Sequence, residues 1–229
     1  GLSRINYDKV LQGWAALTLQ NNVTFGADGI EYCLGESARN TLTTTYSWTI
    51  SDGGKNCIVD IPDANFKAAL IADGIDTSGD NEIQVSEAQT VTTTIDVGGE
   101  GIADLTGIEE FINIQTLDVG SNSLTSVDLT NNTEIVELRI ENNNLTSLDV
   151  SALTDLLTLN CYSNDLTSLD VSQNAGIKTL QAHNNPFGSI DLSNNTELLL
   201  LNVSNTGLSS LDLTNNTKIH SLYVYENSI

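Results

Sequence analysis

One spacing constrains this chain more than anything else in it. The pattern apolar-x-x-apolar-x-apolar-x-x-Asn-x-apolar begins at Ile114, Ile135, Leu156, Ile177, Leu198 and Ile219, six starts each separated by 21 residues. A unit that short cannot bury its own apolar positions, so neighbouring copies must stack to complete a shared core. The first copy reads Ile114, Leu117, Val119, Asn122, Leu124 and the next Ile135, Leu138, Ile140, Asn143, Leu145. A degenerate earlier copy runs from Ile95-Asp96-Val97 to Ile102 and opens the array. Thr206 replaces the Asn in the fifth copy, which should weaken one rung without ending the stack. Cys161 occupies a place held elsewhere by Val, Ile or Ala and reads as a buried thiol.

These residues resemble the leucine-rich-repeat signature L-x-x-L-x-L-x-x-N-x-L, matched over half of the chain. The resemblance implies one short strand per copy, a parallel sheet on the concave face, and Asn side chains bonding backbone in the turn. With strands about 4.8 Å apart, six copies give a sheet roughly 24 Å long. A 21-residue unit leaves no room for a full helix on the return path, so extended or 3₁₀ segments are expected there. The column Asp128, Asp149, Asp170, Asp191, Asp212 recurs in successive copies. Residues constant in every copy usually serve the repeat itself, here by accepting backbone N–H bonds in the turn.

Ahead of the repeats, Asp63 can cap a helix whose Phe66, Ala69 and Leu70 line one face, covering the terminal copy. The stretch Asp104-Leu-Thr-Gly-Ile-Glu-Glu-Phe111 then resembles the lead-in to the repeats of internalins and of secreted repeat proteins from Bacteroidetes. Between the two lies Asp76-Thr-Ser78-Gly-Asp80-Asn81-Glu82-Ile83-Gln84-Val85-Ser86-Glu87, which fits the 12-residue EF-hand loop. Asp76, Ser78 and Asp80 fall at positions 1, 3 and 5, Glu82 offers its backbone carbonyl at 7, Gln84 could act through water, and Glu87 closes the set. Asn81 stands where that family has Gly, and Asn is the non-Gly residue most tolerant of the left-handed turn required. The expectation is a structural Ca²⁺ that holds the cap against the first copy, with a short helix and a strand following Glu87.

Residues 1–57 carry no repeat. Tyr7 to Leu17 and Glu36 to Leu42 read as helices, and Val23-Thr-Phe25 and Trp48-Thr-Ile50 as strands. Cys33 and Cys57 either form a disulfide, which implies an oxidising compartment, or remain separate thiols. The segments Tyr7 to Trp14, Tyr32-Cys33 and Trp48 to Gly54 resemble the closing segment of BspA-like surface repeat proteins. On that resemblance an upstream array precedes Gly1; otherwise 1–57 is a small α/β unit of its own. The expected organisation is thus 1–57, a small α/β segment; 58–110, a helical EF-hand-like cap with the degenerate copy; and 111–229, a leucine-rich-repeat solenoid of six copies, the last incomplete. Its class is a β/α horseshoe with short repeats.

Columns that vary between copies are free of scaffold duty, so a partner is read there. The outward strand positions run Asp118, Arg139, Asn160, Gln181, Asn202, Tyr223 and Gly120, Glu141, Tyr162, His183, Ser204, Tyr225. Tyr and Arg are enriched at binding hot spots, which singles out Arg139, Glu141, Tyr162, His183, Tyr223 and Tyr225 as candidates for contact with a protein or glycan. A net charge of −22, from 8 basic and 30 acidic residues, excludes nucleic acid and opposes an anionic membrane. No apolar run approaches the roughly 20 residues that span a bilayer. No G-x-S-x-G, H-E-x-x-H, C-x-x-C or phosphate loop appears, and His183 and His220 lie in different copies, so no enzyme is expected. The resemblance implies a secreted or surface-anchored bacterial binding or adhesion module. The alternative is a structural spacer, or an accessory module attached to a catalytic domain outside this chain.

Overall fold

The computed structural model describes residues 2–229. They divide into two units: one runs to Val59 and takes in Gln84–Ser86, and the other comprises Asp60–Ile83 and Glu87–Ile229.

The first unit contains helix α1 (Arg4–Ala15), strand β1 (Thr24–Tyr32), helix α2 (Glu36–Thr45) and strand β2 (Thr49–Lys55). Helix α1 begins earlier than the apolar spacing indicates, because the Ser3 hydroxyl caps it by accepting from the Asn6 N–H. Both strands extend past the expected tripeptides and pair in parallel, Thr24 opposite Thr49, with α2 as the crossover. Tyr7, Leu11, Ala27, Tyr32 and Leu42 form the core, and Trp14 packs edge-on against Phe25 at 4.9 Å. Helix α2 has Gly35 at its N-cap and no side-chain cap; Asp8 of α1 instead fixes the turn leading into it, accepting from the N–H groups of Cys33, Leu34 and Gly35. A Cβ on Gly35 would lie 2.7 Å from that carboxylate, so glycine is required. Asp52 accepts from the Tyr7 hydroxyl and the Arg39 guanidinium. Burial alone would raise the Asp52 carboxyl, but the bonds from Arg39 and Tyr7 outweigh it and hold it below the usual range. Cys33 and Cys57 are disulfide-bonded.

The cap supplies helix α3 (Ala64–Ala72), in the second unit, and the single turn α4 (Val85–Ala88), which the unit boundary after Ser86 divides. Helix α4 therefore contains Glu87 rather than following it. Seven three-residue strands then form one parallel sheet in sequence order: β3 (Thr94–Asp96), β4 (Thr116–Asp118), β5 (Glu137–Arg139), β6 (Thr158–Asn160), β7 (Thr179–Gln181), β8 (Leu200–Asn202) and β9 (Ser221–Tyr223). The degenerate copy thus contributes β3, one strand more than the six regular copies. Register never slips: Ile95, Leu117, Leu138, Leu159, Leu180, Leu201 and Leu222 stand opposite one another throughout. From Ile95 to Leu201 these central residues are fully buried, and Cys161 is buried in the next column. Outside the strands, among the described residues of the six copies, the return paths hold no helix beyond the 3₁₀ turn Ile108–Glu110 that leads into them.

Two Asn columns join the copies. Asn143 shows the first: its Oδ1 accepts from the Leu124 N–H of the copy before, and its Nδ2 donates to the carbonyls of Val119 and Ile140. Asn164 and Asn185 repeat the pattern. The residue just before each ladder position adopts a left-handed backbone: Ser121, Asn142, Ser163, Asn184, Asn205 and Glu226 have φ between 51° and 58°. The second column, Asn132, Asn174, Asn195 and Asn216, lies in the return turns, and each Nδ2 donates to two carbonyls of the copy before. The Asp column behaves as its constancy suggests. Asp128, Asp149, Asp170, Asp191 and Asp212 each accept the backbone N–H two residues on.

The ladder is broken in two ways where the fourth and fifth copies meet. Thr206 donates through Oγ1 to Val203 in its own copy, and it is too short to receive the Phe187 N–H. Pro186 has no N–H where Ser123, Asn144 and Asp165 donate to the preceding copy. Gly188 compensates by donating to the Thr206 carbonyl at 2.8 Å, in a left-handed conformation with φ 68°. Replacing Asn164 by Ala strands the Leu145 N–H and two carbonyls in a buried turn, so a loss of about 3 kcal/mol in urea denaturation is expected. Thr206→Asn should act in the opposite direction.

Candidate functional site

Alternation along each strand sends the central Leu inward and its two neighbours outward. The outward face carries the six candidate residues, and the structure brings them together in pairs. Tyr162 and His183, two residues past the ends of β6 and β7, stack with ring centroids 4.4 Å apart and planes at 11°. Tyr223 and Tyr225 pack edge to face at 6.0 Å, and both are exposed. Arg139 is already engaged, by Glu137 at 2.7 Å and Asp118 at 3.4 Å, so its charge is balanced within the sheet. Glu141 lies back over Gly120, where an added Cβ would sit 2.9 Å from its Oε1. Two expected outward positions are not open: Gly120 lies beneath Glu141, and Ser204 is buried with its hydroxyl bonded to Asn202.

Burial shapes the chemistry of this face. Glu141 Oε2 is buried with no hydrogen-bond partner among the described residues. Its carboxyl is raised above the usual range, chiefly by burial and further by the charge of Asp118. His183 Nδ1 is likewise buried and unpartnered, and burial lowers that imidazole. Beneath them the Cys161 thiol is pushed up to about 12 by burial and by Glu141. A buried neutral thiol and an imidazole occupied in ring stacking do not form an activated nucleophile and base.

The cap loop realises its backbone as expected. Asn81 takes φ 64°, the left-handed turn that this position needs. The Asp76 carboxylate accepts from the N–H groups of Gly79 and Asn81 and from the Ser78 hydroxyl. Asp80 accepts from the Glu82 N–H, and Glu87 Oε1 reaches across the loop to the N–H groups of Thr77 and Ser78. Glu82 pairs through its side chain with Lys67 of α3 at 2.6 Å, leaving its carbonyl as the relevant donor. The donors are all oxygen, as a hard cation requires. Among the described residues, however, no three His, Cys, Asp or Glu side chains converge closely enough to hold a metal as they stand.

Sequence reasoning missed a second duty of Asp63. Its Oδ1 caps α3 through Asn65 and Phe66, and its Oδ2 accepts from Ala103 and Asp104 where the chain enters the repeats. Burial opposes ionisation there, but the four N–H bonds outweigh it and hold the carboxyl below its usual range. One carboxylate thus clamps the cap to the array without any ion.

No family model matches the sequence, and a search of curated proteins finds no match either. Solved structures do match. The functional domain of InlJ from Listeria monocytogenes, described as including a cysteine ladder, superposes with a TM-score of 0.69 at 36% identity over 72% of this chain. The chain is an internalin-like leucine-rich-repeat protein. Internalin InlF of the same organism matches with a TM-score of 0.56 at 24% identity over 73% of the chain, and internalin C2 with 0.54 at 20% over 73%, likenesses of fold alone. The chain spans 37% of the InlJ structure, 57% of InlF and 85% of internalin C2. Its repeats hold the single cysteine Cys161. The internalin likeness and the disulfide of the first unit assign this chain to the outside of a bacterial cell, secreted or on the surface. Among the described residues no helix is long and apolar enough to cross a membrane.

Glu141→Gln should raise the thermal midpoint of the internalin-like chain at neutral pH. Because the folded carboxyl titrates above the unfolded one, both states are protonated in acid and no penalty exists there; the penalty grows as pH rises through the ordinary carboxylate range. The difference between variant and wild type should therefore vanish near about pH 3, and a difference independent of pH would contradict this reading.

Proposed function

We propose that this chain is a non-catalytic binding or adhesion module that recognises a protein or glycan through the concave face of its repeats. The observation that carries the reading is the ring cluster on an otherwise repetitive sheet. Tyr162, His183, Tyr223 and Tyr225 occupy columns where the scaffold tolerates Gly, Asp, Asn and Gln, so the rings serve nothing in the stack. Large, rigid amphipathic side chains on a preorganised surface give contact area at low entropic cost. Arg139 belongs to the same face, although its pairing with Glu137 and Asp118 makes it a rim contact rather than an anchor.

Replacing Arg139, Tyr162, His183 and Tyr223 together by Ala should abolish ligand capture in a surface-binding assay while far-UV circular dichroism stays unchanged. A spacer, or an accessory module whose task is only to position a catalytic domain outside this chain, would bind as before.

A structural Ca²⁺ in the cap loop is the second part of the proposal. The loop order and the left-handed Asn81 support it, with oxygens of Asp76, Ser78, Asp80 and Glu87, the Glu82 carbonyl, and Gln84 through water as its donors. Adding CaCl₂ to EDTA-treated protein at ten times Kd should stabilise it by roughly 1.4 kcal/mol. Glu87→Gln should remove that increment. A thermal midpoint indifferent to chelation would leave Asp63 as the clamp of the cap and dispose of the ion.

A further inference from the structure

The break in the ladder does more than weaken a rung. Around Pro186, which cannot donate, and Thr206, which stands in place of a ladder Asn, lies an open cleft of about 560 Å³. Asn164, Asp165, Asn184, Asn185, Asn205 and Thr206 line it, together with glycines and the proline ring. We infer that this cleft, with the stacked Tyr162 and His183 two residues before its Asn164 and Asn185, is a subsite for a neutral oligosaccharide. The inference rests on the reading of the repeat face as a binding surface and names the class of ligand it takes.

Three observations select that occupant. The first is hydrogen-bonding capacity that the fold leaves over. Asp165 is exposed and its carboxylate has no partner among the described residues, and the Gly207 N–H, whose counterparts at Asn144 and Asp165 donate to the preceding copy, donates to nothing here. Asn184 and Asn205 are tied to each other by one amide bond, 3.0 Å from Asn205 Nδ2 to Asn184 Oδ1, and Asn184 Nδ2 reaches Ser163 only at 3.3 Å. Planar amides and a carboxylate in a row offer the paired donors and acceptors that vicinal hydroxyls use.

The second observation is the neighbouring ring pair. Tyr162 and His183, which follow β6 and β7, each stand two residues before an Asn of the cleft lining. Stacked rings of this kind offer a surface for the C–H groups of a sugar ring.

The third observation is what the cleft lacks. The lining holds no Lys or Arg, which a phosphate or sulfate would demand. Nor does it offer an apolar socket of the kind that anchors a protein hot spot, because Phe187 is turned inward and only 5% exposed. An uncharged, hydroxyl-rich ligand with C–H faces fits all three conditions.

The test uses the whole chain on an array of neutral tri- to hexasaccharides, followed by calorimetry with the tightest binder. Asp165→Ala and Asn184→Ala, both at exposed positions, should each weaken binding by roughly tenfold or more. The triple variant Pro186→Asp, Gly188→Thr, Thr206→Asn restores the sequence of the regular copies; it should raise the thermal midpoint and abolish saccharide binding. Gln173→Ala, at an exposed position in a return turn, should change neither. Saccharide binding that survives the triple variant and the single ones but is lost with Tyr223→Ala overturns the cleft while preserving the face as a binding surface. Silence on the array, with a protein captured through the face instead, overturns the saccharide and keeps the face. If neither group of substitutions alters capture of any partner, both readings fall.

Discussion

The structure depends on a bond that no copy can make for itself. Each ladder Asn accepts an N–H from the copy before and donates to carbonyls on both sides of the junction. Polar backbone in a turn buried between two copies must be satisfied, and the Asn side chain is short enough to fit and carries both donor and acceptor. The Leu columns supply most of the apolar burial, at roughly 1.5–3 kcal/mol for each fully buried side chain. They are permissive about position, however, because Ile, Val, Ala and Cys all serve in the same columns. The Asn network holds the stack to one register, and the fixed register in turn aligns the outward columns into a readable surface.

Much of this was legible in the sequence because a repeat is its own alignment. Strand positions, buried columns, the Asn and Asp roles and the outward face all follow from comparing Ile114–Asn122 with its later copies. What was not legible lies where a residue has no counterpart in another copy. Asp63 reads locally as a helix cap, and nothing in the spacing announces that its second oxygen serves Ala103 and Asp104, 40 residues later. The burial of Ser204 was missed because alternation gives the direction of a side chain but not the reach of its neighbours. In the first unit, the bonding of the turn before α2 by Asp8 is equally non-local. Pro186 did leave a signal, since it replaces a residue whose N–H is used in other copies, but its effect appears only when the copies are stacked.

Function on this scaffold is read from departures. Where a column is constant, it works for the stack; where it changes, the stack has released it. Tyr162, His183, Tyr223 and Tyr225 are departures by addition, rings set on a face of small polar residues. The segment Pro186-Phe187-Gly188 and Thr206 are departures by subtraction, bonds withheld from the ladder. Tyr162 and His183 of the first kind and Pro186 and Gly188 of the second all fall within the third and fourth copies.

Because every copy leaves a buried N–H to be answered by its successor, the array has a direction. It resembles a polymer whose growing end is always chemically incomplete. In these terms the fourth copy is unusual: its Phe187 N–H meets no ladder Asn from Thr206, so it stands as an end within the array. The junction of the fourth and fifth copies therefore rests on the β7–β8 pairing and on Asn216, which donates to the Leu192 and Asn195 carbonyls, in place of a ladder Asn.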